Sequence, residues 1–152
     1  MVDIKNIPAE LKTACRFCAW KFEKRNGQKT KMPYNPATGD RAKINDLRTF
    51  TDFKTTLMAY AMGGYDGIGI AVGNGIGAFD LDDCFREDGT LNDTADTVLS
   101  IFPTAYVEKS PSGKGLRGFF HVAEDYVFDK TVYYINNRSK HLEVYLSLIH
   151  IS

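Results

Sequence analysis

The sequence predicts an α/β domain of the α+β kind, with a mixed, largely antiparallel sheet and flanking helices. Three observations favour this class. The chain has 152 residues, of which 43% are hydrophobic, enough to bury a core. Short apolar runs bounded by Gly, Pro and Asn indicate strands, with segments of helical spacing between them. The resulting order, α, ββ, α, ββ, α, ββ, ββ, lacks a regular βαβ repeat.

The first elements predicted are a short helix over Pro8–Ala14 and a β-hairpin. The run FCAWKFE alternates apolar and charged residues, and KTKMPYN follows it after a break. Asn26 and Gly27 lie at that break and both accept positive φ, as a hairpin turn requires. The segment NPATGD, residues 35–40, is expected to form a turn or loop.

A second helix is expected over Leu47–Met62, because its apolar residues recur at helical spacing. Either Thr49 or Thr51 could cap its N-terminus, and Gly63-Gly64 should end it. Two buried strands, GIGIAVG and GIGAFDLD, follow. The Asn-Gly pair between them predicts a second hairpin.

The remaining segments predict one helix and four strands. After a polar loop, REDGTLND, the helix is expected over Thr94–Ile101, before Pro103. TAYVEKS and LRGFFHV are predicted strands joined by the turn PSGKG. VYYIN and HLEVYL are the last two predicted strands.

Charge is distributed unevenly along a chain whose formal net charge is zero. Residues 1–48 carry 11 Lys and Arg against 5 Asp and Glu, whereas residues 49–100 carry 2 against 9. This asymmetry suits a site where metal ions sit among carboxylates and basic residues bind a polyanion. An ordinary surface with uneven charge is the alternative interpretation.

Composition also bears on the compartment. The sequence has three cysteines and neither a signal-peptide pattern nor an apolar run of membrane-spanning length. We therefore expect free thiols in a reducing cytoplasm, and no membrane partner.

The acidic end of IGAFDLDD is the first candidate site. Asp80 and Asp82 flank Leu81, so on a strand both carboxylates face one side, about 7 Å apart. Two such oxygen ligands can share Mg²⁺ or Mn²⁺ and support two-metal phosphoryl transfer. The alternative is a pair of turn residues at a strand end. Asp83 would point away and is expected to be a cap or a solvated acid.

Two further segments could complete the site. Glu143 lies between apolar neighbours in HLEVYL, so it is either an outward-facing strand residue or the third acid of a metal cage. The loop SPSGKG does not fit the Walker pattern, yet its residues could bind phosphate through exposed backbone N–H groups. It could equally be a plain hairpin turn. Arg117, which begins the next strand, is suited to bidentate phosphate binding.

Taken in order, FDLDD, SPSGKGLR and HLEVY resemble three motifs of the archaeo-eukaryotic primase superfamily, in particular primase-polymerases of phage and plasmid replication proteins. These have an acidic D-h-D motif, an S-x-S-G-x-G-L-H motif and a final acid, often in L-E-V-Y. The upstream segments WKFEKRNGQKTK and KMPYNPATG are also similar to this family. The likeness runs from about Leu11 to Tyr145.

The resemblance implies a template-dependent nucleotidyltransferase that acts on (d)NTP and single-stranded DNA. It implies that Asp80, Asp82 and Glu143 bind two divalent ions, Mg²⁺ or Mn²⁺. It also implies that nucleotide phosphates contact the residues of the third motif, Ser110, Ser112, Lys114 and Arg117. Charge and place alone make Lys29, Lys31 and Arg48 candidates for template or nucleotide contact.

The chain departs from the family at two points. Arg117 stands where the family usually has His; arginine can bind phosphate but cannot act as a neutral imidazole. The chain also stops just after the third acid, whereas family members continue, usually into a helicase or primer-related domain. We therefore expect an incomplete catalytic domain over residues 1–146. The ending SLIHIS resembles a translated adapter, so residues 147–152 are expected to be non-native.

Two other functions fit some of the same residues. A non-catalytic module that binds DNA or nucleotide is favoured by Arg117 and by the early end of the chain. A metal-dependent nuclease also uses clustered acids. It ranks lower because neither Glu108-Lys109 nor Glu143-Val144 supplies an acid-x-Lys pattern.

Overall fold

The structure, a computed structural model, describes residues 5–123, 134–146 and 149–150. It confirms the α+β class. The three helices are α1 Ala9–Ala14, α2 Phe53–Met62 and α3 Asp93–Ile101. The strands are β1 Arg16–Arg25, β2 Gln28–Tyr34, β3 Gly67–Ala71, β4 Ile76–Leu81, β5 Tyr106–Lys109, β6 Leu116–His121, β7 Tyr134–Asn137, β8 Leu142–Tyr145 and β9 Ile149–His150. Single 3₁₀ turns cover Leu47–Thr49 and Arg138–Lys140.

The chain divides into two compact units, each with its own sheet. Residues 1–74 and 148–152 form the first unit, and residues 75–147 form the second. The first sheet has the strand order β2-β1-β3-β9 and the second has β5-β6-β4-β8-β7. All the described pairings in both sheets are antiparallel. The expectation of one partly mixed sheet is therefore wrong for the described residues.

The predicted hairpin between β3 and β4 is also wrong. The Asn-Gly turn is present, with φ of 51° at Asn74 and 79° at Gly75. However, β3 pairs with β1 and β9, and β4 pairs with β6 and β8. Both edges of each strand are thus occupied by other partners. The turn signal predicts local backbone geometry only, because it does not fix which strands pair.

The first hairpin is confirmed. β1 and β2 pair in register from Ala19 opposite Tyr34 to Arg25 opposite Gln28. The turn residues have the positive φ values expected of them, 50° at Asn26 and 79° at Gly27.

The second predicted helix begins later than expected. Thr51 exchanges backbone hydrogen bonds with Phe17, which holds it in an extended conformation. Helix α2 therefore begins after Asp52, whose carboxylate accepts a hydrogen bond from the Thr55 N–H. Gly63, with φ of 89°, ends the helix as predicted.

The core of the second unit lies on one face of its sheet. Phe79 and Leu81 of β4 pack with Phe120 of β6 and with Ala95 and Val98 of α3. Because side chains alternate along a strand, Asp80 and the residues in register with it face the opposite side.

Several other predictions concern the chain as a whole. The three cysteines are free and buried, as expected. Among the described residues, the helices are too short and too polar to cross a membrane. The first two residues of VYYIN and most of the predicted non-native tail lie outside the described residues. The backbone of β9, inside that tail, pairs with Ile70 and Ala71.

Candidate functional site

A row of polar residues crosses the five-stranded sheet of the second unit. Asp80 of β4 lies opposite Arg117 of β6 on one side and Glu143 of β8 on the other. The row continues to Glu108 on β5 and to Asn136 on β7. Residues opposite each other on neighbouring strands share a face and interact. Asp80 therefore sits at the centre of the sheet, between a cation and a second carboxylate.

Arg117 and Asp80 form a buried ion pair. The Nη2 atom of Arg117 donates to the Oδ2 atom of Asp80 at 2.9 Å. The two side chains are 5% and 15% exposed. Burial raises the pKa of Asp80, with Asp82 and Glu143 adding to the rise, whereas Arg117 opposes it. The three carboxylates therefore influence one another electrostatically, and Arg117 offsets part of their repulsion.

The Arg117 guanidinium has donors that the protein does not use. Its Nε and Nη1 atoms are buried and make no hydrogen bond to the part of the chain that the structure describes. Buried polar groups are normally hydrogen-bonded, because leaving a donor unpaired is costly. A guanidinium edge with two unused N–H directions matches a phosphate or carboxylate group.

Glu108 is the other neighbour of Arg117. Its pKa is raised, chiefly by burial, although Arg117 lowers it. The hydroxyl of Tyr106 lies 3.5 Å from the Oε2 atom of Glu108. Arg117 is thus placed between two carboxylates, and sequence reasoning did not include Glu108 in the site. The strand pairing that places it there was not apparent from the sequence.

Both oxygens of Glu143 are held by neighbours on the same face. Its Oε1 atom accepts a hydrogen bond from the Asn136 side-chain amide at 2.7 Å, and its Oε2 atom accepts one from the Tyr145 hydroxyl. These bonds fix the orientation of the carboxylate. Sequence reasoning missed both partners. Tyr145 could have been found, since it lies two residues from Glu143 on a predicted strand and so shares its face.

The glycine-rich loop is a closed turn. Ser110 exchanges backbone and side-chain hydrogen bonds with Gly115, and the Gly113 N–H donates to the Ser110 carbonyl at 2.8 Å. The Lys114 N–H donates to the Ser112 hydroxyl at 3.3 Å. The expectation that these N–H groups are exposed for phosphate is therefore wrong at residues 113–115. The side chains of Ser112 and Lys114 remain exposed and are the loop's available polar groups.

Asp82 lies between this loop and the turn before β8. A Cβ atom on Gly115 would stand 2.3 Å from the Leu81 carbonyl and 3.4 Å from the Asp82 Cα atom, so only glycine allows this approach. On the other side, the Asp82 N–H donates to the carbonyl of His141 at 2.9 Å. The turn that ends at His141 carries the exposed bases Arg138 and Lys140, which sequence reasoning also missed.

The carboxylates partly fit a divalent cation. Asp80 and Glu143 are hard oxygen ligands on neighbouring positions, the donor type that Mg²⁺ and Mn²⁺ prefer. As they stand, however, no three His, Cys, Asp or Glu side chains in the described ranges are close enough to hold a metal together. Asp82 is exposed and further along the strand, and Asp83 has φ of 45° at the bend that follows. The pair Asp80 and Glu143 is the part of the expected cage that is formed.

The three basic residues proposed for template contact belong to the first unit. Lys29 and Lys31 lie on β2, with their ammonium groups over the rings of Phe22 and Trp20. Arg48 lies in the 3₁₀ turn, where both its Nε and Nη2 atoms bond the Asp46 carboxylate at 2.9 Å.

The chain matches no protein-family model and no curated protein sequence. The resemblance to primase-polymerases thus remains a prediction from the motifs. What the structure itself defines is an antiparallel α+β unit with an ionic row, centred on Asp80, across the sheet face opposite α3.

Proposed function

We propose that this chain is the catalytic domain of a DNA primase-polymerase, a template-dependent nucleotidyltransferase of phage or plasmid replication. The observation that carries the proposal is the central position of Asp80 between Arg117 and Glu143. An acid pair beside a partly unsatisfied guanidinium can hold both a divalent cation and a phosphate. The order of the three motifs in the sequence adds the reaction class.

Asp80 and Glu143, with Asp82 next to them on the chain, would hold two Mg²⁺ or Mn²⁺ ions. When bound, such ions neutralise developing charge and activate a 3′-hydroxyl. Asn136 and Tyr145 keep the Glu143 carboxylate oriented, and catalysis by this chain is mainly positioning and charge neutralisation. In the transfer, the 3′-oxygen bonds to the α-phosphorus, the α–β bridging bond breaks, pyrophosphate leaves and the hydroxyl proton passes to water.

Arg117 would bind the nucleotide phosphates through its free Nε and Nη1 edge while it stays bonded to Asp80. Ser110, Ser112 and Lys114 would add contacts from the loop. Since the loop's N–H groups at residues 113–115 are already used, these contacts come from side chains. Lys29, Lys31 and Arg48 would contact the single-stranded template. We place the protein in the cytoplasm of a bacterial host, with a helicase domain in the full-length chain.

Primer extension tests the proposal. Wild type, Asp80→Asn, Asp82→Asn and Glu143→Gln are incubated with Mn²⁺ or Mg²⁺, dNTPs and a primed single strand. Removing a preorganised charge at a phosphoryl-transfer site lowers turnover by at least about a hundredfold, so each variant should lose extension. Asp83→Asn, an exposed neighbour that the site does not use, is the matched control. Full activity in Asp80→Asn would refute the assignment.

A non-catalytic module that binds nucleotide or DNA is the second candidate. The Arg117–Asp80 pair favours it, because a buried guanidinium already neutralises the acid that a metal would need. This function predicts nucleotide binding without metal and no extension. A metal-dependent nuclease predicts cleavage of the same DNA, so one reaction separates the three functions.

A further inference from the structure

One face of the β1–β2 hairpin combines aromatic rings with lysines. Phe22 lies opposite Lys31 and Lys24 lies opposite Lys29, so all four share a face with Trp20. We call these five residues the lysine-aromatic face. Lys24, Lys29 and Phe22 are exposed, and the Phe22 residue keeps 38% of its surface accessible.

The lysine ammonium groups are positioned by the rings. Lys29 Nζ lies 4.1 Å from the centroid of Phe22, and Lys31 Nζ lies 4.7 Å from that of Trp20. The two rings meet edge to face at 5.1 Å. Cation–π attraction therefore holds two charges at defined places beside apolar surface, which reduces the ordering cost of binding an anion there.

The Trp20 ring is itself fixed. Its Nε1–H donates to the Ile68 carbonyl at 3.1 Å. A Cβ atom on Gly67 would stand 2.4 Å from the ring, so glycine lets the indole lie over β3. The aromatic surface thus rests on the sheet, and the lysines of β2 stand on a rigid base.

The two faces of the hairpin differ in charge balance. On the opposite face, Glu23 binds Arg41 at 2.6 Å and also accepts a hydrogen bond from the Tyr34 hydroxyl. Among the strand positions that make up the lysine-aromatic face, by contrast, none is acidic. A surface that served only solubility would be expected to mix both signs. Three lysines without an acid complement a polyanion.

We propose that the lysine-aromatic face binds single-stranded DNA. Lys24, Lys29 and Lys31 would contact successive phosphates, since Lys29 and Lys31 stand about 7 Å apart along β2. Phe22 would pack against an unpaired base, which a duplex keeps inside its stack. The choice of DNA rests on the proposed function, whereas the requirement for an unpaired polyanion comes from this face alone.

Salt-dependent binding of a fluorescent oligo-dT tests the charge component. Each lysine that neutralises a single-strand phosphate contributes about −0.7 to the slope of log K against log salt. Lys29→Gln/Lys31→Gln should therefore reduce the slope by about 1.4. Lys43→Gln/Lys54→Gln removes the same charge from exposed positions of the same unit and is the control. An equal reduction in both double variants would overturn the proposal.

Phe22→Leu tests the aromatic component, because leucine keeps the apolar bulk and loses the ring face. Stacking on one base predicts at least about a fivefold loss of oligo-dT affinity. Wild-type protein should also bind the oligonucleotide more tightly than the same length of duplex. Unchanged affinity in Phe22→Leu, or equal affinity for the duplex, would refute the proposal.

Binding of dNTP in the presence of Mn²⁺, measured in the same variants, separates this inference from the proposed function. Substitutions on the lysine-aromatic face should leave dNTP binding intact, and Asp80→Asn should leave the oligo-dT salt slope intact. Loss of dNTP binding in Lys29→Gln/Lys31→Gln would contradict the assignment of the face to DNA. A wild-type protein that binds oligo-dT but no dNTP would count against the proposed function alone.

Discussion

Arg117 donates a hydrogen bond to Asp80 across neighbouring strands, and both side chains are largely buried in the second unit. Taking two charges out of water is costly, and the pair recovers that cost only while both partners are present. The unused Nε and Nη1 donors of Arg117 show that the protein alone does not fully satisfy this arrangement. The ion pair is therefore the point at which stability and ligand binding are linked.

Removing one partner of this pair should destabilise the fold. Arg117→Gln leaves Asp80 buried without its cation, and a loss of about 3–5 kcal/mol is expected in the free energy of unfolding. Urea denaturation measures it. The double variant Asp80→Asn/Arg117→Gln should recover part of the loss, because no uncompensated charge remains. Arg48→Gln, which breaks an exposed pair with Asp46, is the control and should change little. Equal effects of the two single substitutions would contradict the prediction.

The hydroxyl of Tyr145 should matter for metal binding because it holds one oxygen of Glu143. Loss of a group that orients a metal-binding carboxylate typically lowers affinity by about 10–100-fold. Tyr145→Phe should therefore weaken Mn²⁺ binding by at least about tenfold, as measured by titration calorimetry. Tyr106→Phe removes a much longer contact, at 3.5 Å, to Glu108 on the same face. It should retain wild-type affinity, and a similar loss in both variants would count against an orienting role.

Gly115 should not tolerate a side chain. A Cβ atom there would meet the backbone carbonyl of Leu81 at 2.3 Å, which only a backbone shift can relieve. Gly115→Ala is expected to lower the free energy of unfolding by about 1–3 kcal/mol. Ser112→Ala, at an exposed position of the same loop, should have a much smaller effect. Chemical denaturation of the two variants decides the matter, and a stable Gly115→Ala would show that the loop moves freely away from β4.

Alkaline pH should destabilise the first unit through its buried thiols. Burial raises the pKa of Cys15 from 9.0 to about 11 and that of Cys18 from 9.0 to about 12. Below pH 9 the thiols are protonated in both states and impose no penalty. Above it, the unfolded chain ionises first, so stability falls by up to about 1.4 kcal/mol per pH unit for each thiol.

Thermal unfolding between pH 8 and pH 11 measures this loss. Cys18→Ala should lower stability at pH 8 through lost packing, yet show a shallower fall as the pH rises. Native thiols should also react slowly with an alkylating reagent at pH 8 and rapidly in denaturant. Fast native reaction would show that burial does not protect them.

The sequence by itself determined the local elements and part of the site. Asn26-Gly27 gave a hairpin because a two-residue turn depends on the φ range of its own residues. Alternation along β4 correctly placed Phe79 and Leu81 in the core and Asp80 on the other face. Such features depend on neighbours along the chain, and a sequence pattern records them directly.

Tertiary structure decided which strands pair and what each polar group binds. Asn74-Gly75 has the geometry of a hairpin turn, yet the strands on either side enter different sheets. Thr51 pairs with Phe17 instead of capping a helix, and Asn136 reaches Glu143 only through the pairing of β7 with β8. These contacts join residues distant in sequence, so they follow from the packing of the sheets and not from local propensity.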